Sequence, residues 1–242
     1  MTNIIEQIKE MRPVFRVSDR DATVDFYTTV LGLKLLKENS FMLEFGTHKI
    51  EQTRIICAIS PESLDFHKAE GQKRHIVTLL QLPQAELRQL IARYKDKMEK
   101  IFCSEAGYAF NTVSPDGDSF TVMTSESGPA IEIPKADLAI GEDYYAGVTD
   151  MTVVSSMIAS PDAGDFYERT LLVKYIHAVP IPGDSVSETD TWDLGAVQFK
   201  LKEGIELNEL TLDLTNLNYS LNDTTQVFTV TAPNNLEIQF IK

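Results

Sequence analysis

The chain is poor in cysteine, in basic side chains and in long apolar runs, and each shortage argues against a class of protein. Only Cys57 and Cys103 occur among 242 residues. Both stand in apolar, strand-like stretches without a CxxC partner, which speaks against a disulfide scaffold and for two small buried hydrophobes. Lysine and arginine number 22 against 36 acidic residues, a net charge of −14 at pH 7. That balance repels phosphate backbones and anionic lipid surfaces, so neither nucleic acid nor membrane is an expected partner. No run approaches the roughly 20 apolar residues of a spanning helix. The opening MTNIIEQIKEMR mixes Glu6, Lys9, Glu10 and Arg12 into its apolar positions, unlike a secretory leader. The expected location is therefore the cytoplasm, with surface or extracellular presence only by a non-classical route.

What is present is a globular composition, 43% hydrophobic and 24% charged, and a repeat. PVFRVSD (13–19) alternates like a half-buried strand, and Asp19 is placed to cap a helix over DATVDFYTTVL. In that helix Val24, Tyr27 and Leu31 share a face, and Gly32 is placed as a left-handed C-cap. LKLLKE, FMLEFG and TRIICAIS follow as strands, completing β-α-β-β-β. RHIVTLLQL begins the same order again, PQAELRQLIARYKDK is its helix, and SPDG (114–117) is a tight turn before its closing strand. The stretch 127–145, with two prolines and two glycines, reads as a linker. Beyond it FYERTLLVK (166–174) restates FYTTVLGLK (26–34), with Leu172 where the first copy has Gly32. KYIHAVP and TWDLGAVQFKLK supply strands to this third module. ELNELTLDL, QVFTVTA and LEIQFIK form a fourth, whose TNLNYSLNDTT is too short and turn-rich for a helix. The expectation is an α+β chain of tandem βαβββ modules, with a two-module domain over 1–126, the linker 127–145, and a shortened domain over 146–242.

The repeated FYxxxLG and the PDG before a closing strand resemble the vicinal oxygen chelate superfamily of glyoxalases, extradiol dioxygenases and bleomycin-resistance proteins. RVSDRDATVDFYTTVLGLKLLKE, RHIVTLL and SPDGDSFTV carry the likeness. It implies that modules pair to close cups of strands, two in all, the fourth module being degenerate and without its helix. The chain as a whole resembles the streptococcal CppA family, whose name implies a proteinase acting on complement; the module pattern itself carries no sign of that activity.

In metal-using members of the superfamily, ligands converge from the starts of the first and fifth strands and late in the fourth and eighth. On that pattern Arg12 falls on the first position, Ile56 or Cys57 on the second, His75 on the third and Thr121 on the last. A cation at the first position repels a metal, so a metal-dependent glyoxalase or dioxygenase is not expected, nor is any cofactor. Arg12, His75 and Thr121 are left as candidates for binding an anionic small molecule, the alternative being a satisfied strand histidine and a surface arginine. In the second domain Asp150, Glu209 and Glu237 fall on ligand positions, with Gln198 near the remaining one. Three converging carboxylates need a cation or raised pKa values to coexist; one residue of register slip turns them into solvated strand carboxylates.

A protease is hard to find. GDS occurs at 117–119 and 183–185, but Phe120 and Val186 follow where a serine-protease oxyanion hole needs glycine. No HExxH helix is present. Cys57 and His75 are the remaining catalytic candidates, a dyad without a visible orienting residue. Three readings stand side by side: a complement-directed proteinase by resemblance, a metal-free small-molecule binder, and an interaction scaffold. The last predicts an exposed apolar patch at the edge of the fourth module.

Overall fold

The computed structural model describes residues 2–59, 73–105, 107–124, 130–138, 145–160, 164–180, 193–205, 210–211, 218–222 and 226–242. The first module runs β1 (Thr2–Asn3), a 3-10 turn (Ile4–Gln7), β2 (Ile8–Val17), α1 (Arg20–Asp25), β3 (Lys34–Glu38), β4 (Met42–Gly46) and β5 (Thr53–Ile59). The second contains β6 (His75–Gln81), α2 (Gln84–Tyr94), β7 (Lys100–Ser104), β8 (Gly107–Val113) and β9 (Ser119–Met123), and β10 (Ile131–Ile133) follows it. Next come β11 (Thr152–Ala159), α3 (Gly164–Arg169) and β12 (Ile176–Val179). The chain closes with β13 (Leu194–Leu201), β14 (Leu210–Thr211), β15 (Asn218–Asn222), β16 (Val227–Thr231) and β17 (Glu237–Ile241).

One pairing rule organises these strands: the opening strand of a module lies parallel to its closing strand. It holds for β2 with β5, β6 with β9, β11 with β12, and β13 with β17. The rule moves a boundary. Residues 194–201, which the sequence pattern assigns to the third module, open the fourth, and NYSLN within the expected turn is the strand β15. No helix stands between β13 and β15 among the described residues. The N-terminal turn lies beside that stretch: β1 runs parallel to β14, the Lys202 amide donates to the Gln7 carbonyl at 2.9 Å, and Ile4 and Ile5 are buried.

Two curved sheets result. An eight-stranded sheet has the order β15-β16-β17-β13-β2-β5-β4-β3, and a seven-stranded sheet the order β10-β7-β8-β9-β6-β11-β12. The opening strands meet antiparallel, β2 with β13 and β6 with β11. Modules one and four therefore share one cup, and modules two and three the other. Each sheet takes strands from both sides of 127–145.

The helices explain the repeated FY. Asp19 caps α1 by accepting from the Ala22 amide at 2.9 Å, and the helix widens into a π turn over Phe26–Val30. Tyr27 stacks on Phe45 of its own module at 4.7 Å, while Phe26 and Tyr27 both meet Phe120 of the second module at 5.9 Å. The pair thus docks its helix across two modules. Gly32 is left-handed with φ 68°, and a Cβ there would collide with the Tyr145 hydroxyl. In the restated copy, without that glycine, Leu171 takes φ 61° one residue earlier.

The turn before the closing strand is also repeated. In SPDGDS the Gly117 amide donates to the Ser114 carbonyl at 2.9 Å, and the Ser114 amide to the Asp118 carbonyl at 2.8 Å. In APNNLE (232–237) the Asn235 amide donates to the Ala232 carbonyl and the Ala232 amide to the Leu236 carbonyl, both at 2.9 Å. Gly117 and Asn235 both hold positive φ, which asparagine tolerates better than most residues.

A candidate anion-binding floor in the large cup

Alternation along β2 sends Met11, Phe15 and Val17 into the core under the helices and leaves Glu10, Arg12, Val14 and Arg16 on the opposite, cup-lining face. Register carries the same face across the sheet. Gln198 of β13 stands opposite Arg12 and beside Gln239 of β17, and Val14 stands beside Ile56 of β5, which brings Arg54 next to Arg12. The cup floor is thus a polar row of Arg54, Arg12, Gln198 and Gln239. Beside it lies an apolar row of Ile56, Val14 and Ala196 that ends on Glu237.

Glu10 is the hub of the polar row. Its carboxylate pairs with Arg12, accepts from Arg54 Nη1 at 3.0 Å and accepts from the Gln52 amide. The three charged side chains are only 12%, 13% and 7% exposed for Arg12, Arg54 and Glu10. Two guanidiniums sharing one carboxylate leave a local positive charge, and the Nε of each arginine is buried without a partner. At the other end of the row a carboxylate sets a direction. Glu237 can only accept, so Gln239 donates its amide to it, and the Gln239 carbonyl then accepts from Gln198 Nε2 at 2.7 Å.

His75 and Thr121 lie elsewhere. His75 is in the core with its ring edge on Phe15 at 5.0 Å, while Thr121, on β9 in the other sheet, donates to Asn111 Oδ1 at 2.9 Å. Arg12, His75 and Thr121 therefore do not form one site. Asp150 precedes β11 of the small cup and its amide reaches Glu86 at 3.4 Å, whereas Glu237 is in the large cup. Glu209 and Ser185 lie outside the described residues.

Around His75 is a buried chain the sequence did not announce. His75 Nε2 is 2.9 Å from Thr78 Oγ1, which is 2.8 Å from Ser156 Oγ, and Asp118 Oδ1 is 3.3 Å from His75 Nδ1. Carboxylate, imidazole and hydroxyl stand in the order of a nucleophilic triad. The contact at Nδ1 is a close approach and not an aligned hydrogen bond, and Thr78, Ser156 and Asp118 are all 0% exposed. No polypeptide reaches that hydroxyl. Lys73 Nζ, 2.7 Å from Asp118, completes the cluster. Asp193, also buried, accepts from the amides of Arg74, His75 and Leu194, joining the start of β6 to the start of β13. Ser156 and Asp193 make joints between modules, while Asp118 ties the start of the second module to its own closing turn. The signal for Asp118 was present, since PDGDS places a second aspartate where the turn meets the strand.

Cys57 is buried on the core side of β5, and burial pushes its thiol up, away from the thiolate a nucleophile needs. Burial likewise raises the Tyr27 phenol well above its ordinary value. Among the described residues there is no cluster of three or more metal-ligating His, Cys, Asp or Glu side chains, and no helix is long and apolar enough to cross a membrane.

Residues 10–128 match the CppA N-terminal family. No curated protein matches the chain. The cppA protein from Streptococcus pneumoniae TIGR4 has the same fold with a TM-score of 0.78, covering 97% of this chain and 98% of that one at 21% identity. A candidate dioxygenase from Bacillus subtilis follows with a TM-score of 0.66 and 13% identity over 97% of this chain and 85% of its own. A point mutant of glyoxalase I from Zea mays gives a TM-score of 0.59 and 14% identity over 98% of this chain and 95% of its own. At these identities the likeness is one of fold. Taken with the paired modules and the two cups, it gives the whole chain the vicinal oxygen chelate fold, and within it residues 10–128 belong to the CppA N-terminal family.

Proposed function

We propose that the chain is a binding protein whose large cup holds a small anionic molecule on its own side chains, without a metal. The observation that carries this reading is the shared carboxylate: Arg12 and Arg54 both lean on Glu10 in the floor of the cup, which leaves guanidinium hydrogens and a net positive charge in a chain of net charge −14. Planar guanidiniums suit a carboxylate or phosphate group. Gln198 adds an amide for orientation, and Val14, Ile56 and Ala196 form a bed for an apolar body. A guanidinium on the position that the superfamily resemblance gives to the first ligand disfavours a cation there.

Isothermal titration with a panel of dicarboxylates and phosphomonoesters tests the reading. At least one class should bind, and Arg54→Gln or Arg12→Lys should weaken it by roughly tenfold or more, the equivalent of one charge-assisted bidentate contact. Binding that ignores both substitutions, or no binding across the panel, overturns it. Proteolysis of complement, implied by the family resemblance, has a separate test in incubation with intact complement component three. Cleavage that persists in the Cys57→Ala, Cys103→Ala double variant would displace the binding reading and remove the thiol mechanism together.

A further inference from the structure

The two large sheets end on four edges among the described residues, and three are protected. β3 carries Lys34, Lys37 and Glu38, β10 carries Glu132 with Pro134 after it, and β12 carries His177 with Pro180 after it. Charge and proline are the usual devices that stop an edge from pairing with another chain. The fourth edge has neither. β15, with the sequence NYSLN, is exposed at all five residues and, among the described strands, pairs with β16 alone. Tyr219 is 62% and Leu221 41% exposed, and among the described residues no helix stands between β13 and β15 to cover them.

A row of rings leads from the core to this edge. Phe199 stacks on Phe240 at 5.5 Å, Phe240 meets Phe228 at 6.0 Å, and Phe228 meets Tyr219 at 5.9 Å, where the row ends on a ring in water.

We infer that β15 is a self-association edge that pairs antiparallel with β15 of a second copy of this chain. The strand is self-complementary. With Ser220 on the two-fold axis, Tyr219 of each copy faces Leu221 of the other, an aromatic-aliphatic pair on the same face, and Ser220 faces Ser220 on the opposite face. Each copy carries a charge of −14, so two copies repel broadly and approach best where charge is absent. β15 is such a place. The pairing is isologous and closes as a dimer rather than a filament. A five-residue contact is small, and association is expected between about 10 µM and about 1 mM.

Sedimentation velocity across that concentration range is the test. The wild-type chain should pass from monomer to dimer. Ser220→Lys, which sets two lysines against each other on the axis, should weaken dimerisation by about tenfold or more, and so should Ser220→Glu. An equimolar mixture of the two variants should recover the dimer, because the opposed charges then attract. Wild-type protein that stays monomeric at about 1 mM, a Ser220→Lys variant that dimerises like wild type, or a mixture that fails to recover overturns the inference. Recovery in the mixture also shows that neither variant has merely lost its fold.

Discussion

Cys57 and Tyr27 sit side by side in the core, and their chemistry is governed by burial. Their ordinary values are 9.0 for the thiol and 10.0 for the phenol, and desolvation raises both in the fold. A group raised in this way stays protonated when folded, while the unfolded chain releases its proton. The stability it contributes is complete below the unfolded value and is lost as pH climbs towards the folded one. The thermal midpoint is therefore expected to be level up to about pH 9 with respect to these groups, to fall above it, and to fall more steeply beyond pH 10 as Tyr27 and the similarly raised Tyr167 join Cys57. Calorimetry from pH 7 to 11 checks this, and a midpoint that holds through pH 11 refutes it. Sequence placed Cys57 in an apolar strand correctly. Its depth follows from packing of β5 against Tyr27 of the π turn, which no local pattern reports.

At the level of the element, the turn before each closing strand does the joining. Asp116 accepts from the Ser18 hydroxyl at 2.5 Å, tying the second module to the end of β2, and Asp118 holds Lys73 and His75. The corresponding turn of the fourth module places Asn234 under the Tyr167 hydroxyl at 3.1 Å and a buried leucine, Leu236, where Asp118 would be. One turn shape thus serves an ionic joint in one cup and an apolar one in the other. Asp118→Ala leaves a lysine and a histidine facing a void, and should cost about 3 kcal/mol, the scale for breaking a buried pair from one side. Urea unfolding measures it, and a change under about 1 kcal/mol would mean that this pair does not hold the start of the second module to its closing turn. SPDG was readable because proline and glycine announce their dihedrals. APNN was not, since asparagine at positive φ is permitted rather than demanded.

Over the whole molecule the cups are shared. β2 is completed by β13 and β6 by β11, so each sheet depends on strands from beyond 127–145. Residues 1–126 expressed alone would present two central strands as edges, and long unpaired edges aggregate or find another copy. That fragment is expected to be oligomeric or insoluble at concentrations where the full chain remains in solution, as size-exclusion chromatography would record. A well-behaved monomeric fragment with a cooperative melt would contradict this dependence.

Sequence by itself determined the modules: the Asp19 cap, the left-handed Gly32, the docking pair Phe26 and Tyr27, and the alternation that turns Arg12 out of the core are all written in local spacing. It also showed no helical pattern in TNLNYSLNDTT, and no helix stands between β13 and β15 among the described residues. Only the tertiary structure decided which modules are partners. Pairing between opening strands is non-local, and any of the four has a similar alternating edge to offer. The choice of one with four, and two with three, took His75 and Thr121 away from Arg12 and put Arg54, Gln198, Gln239 and Glu237 on its cup floor instead. A strand's own residues settle which way its side chains point, but the chain's return path settles what they meet.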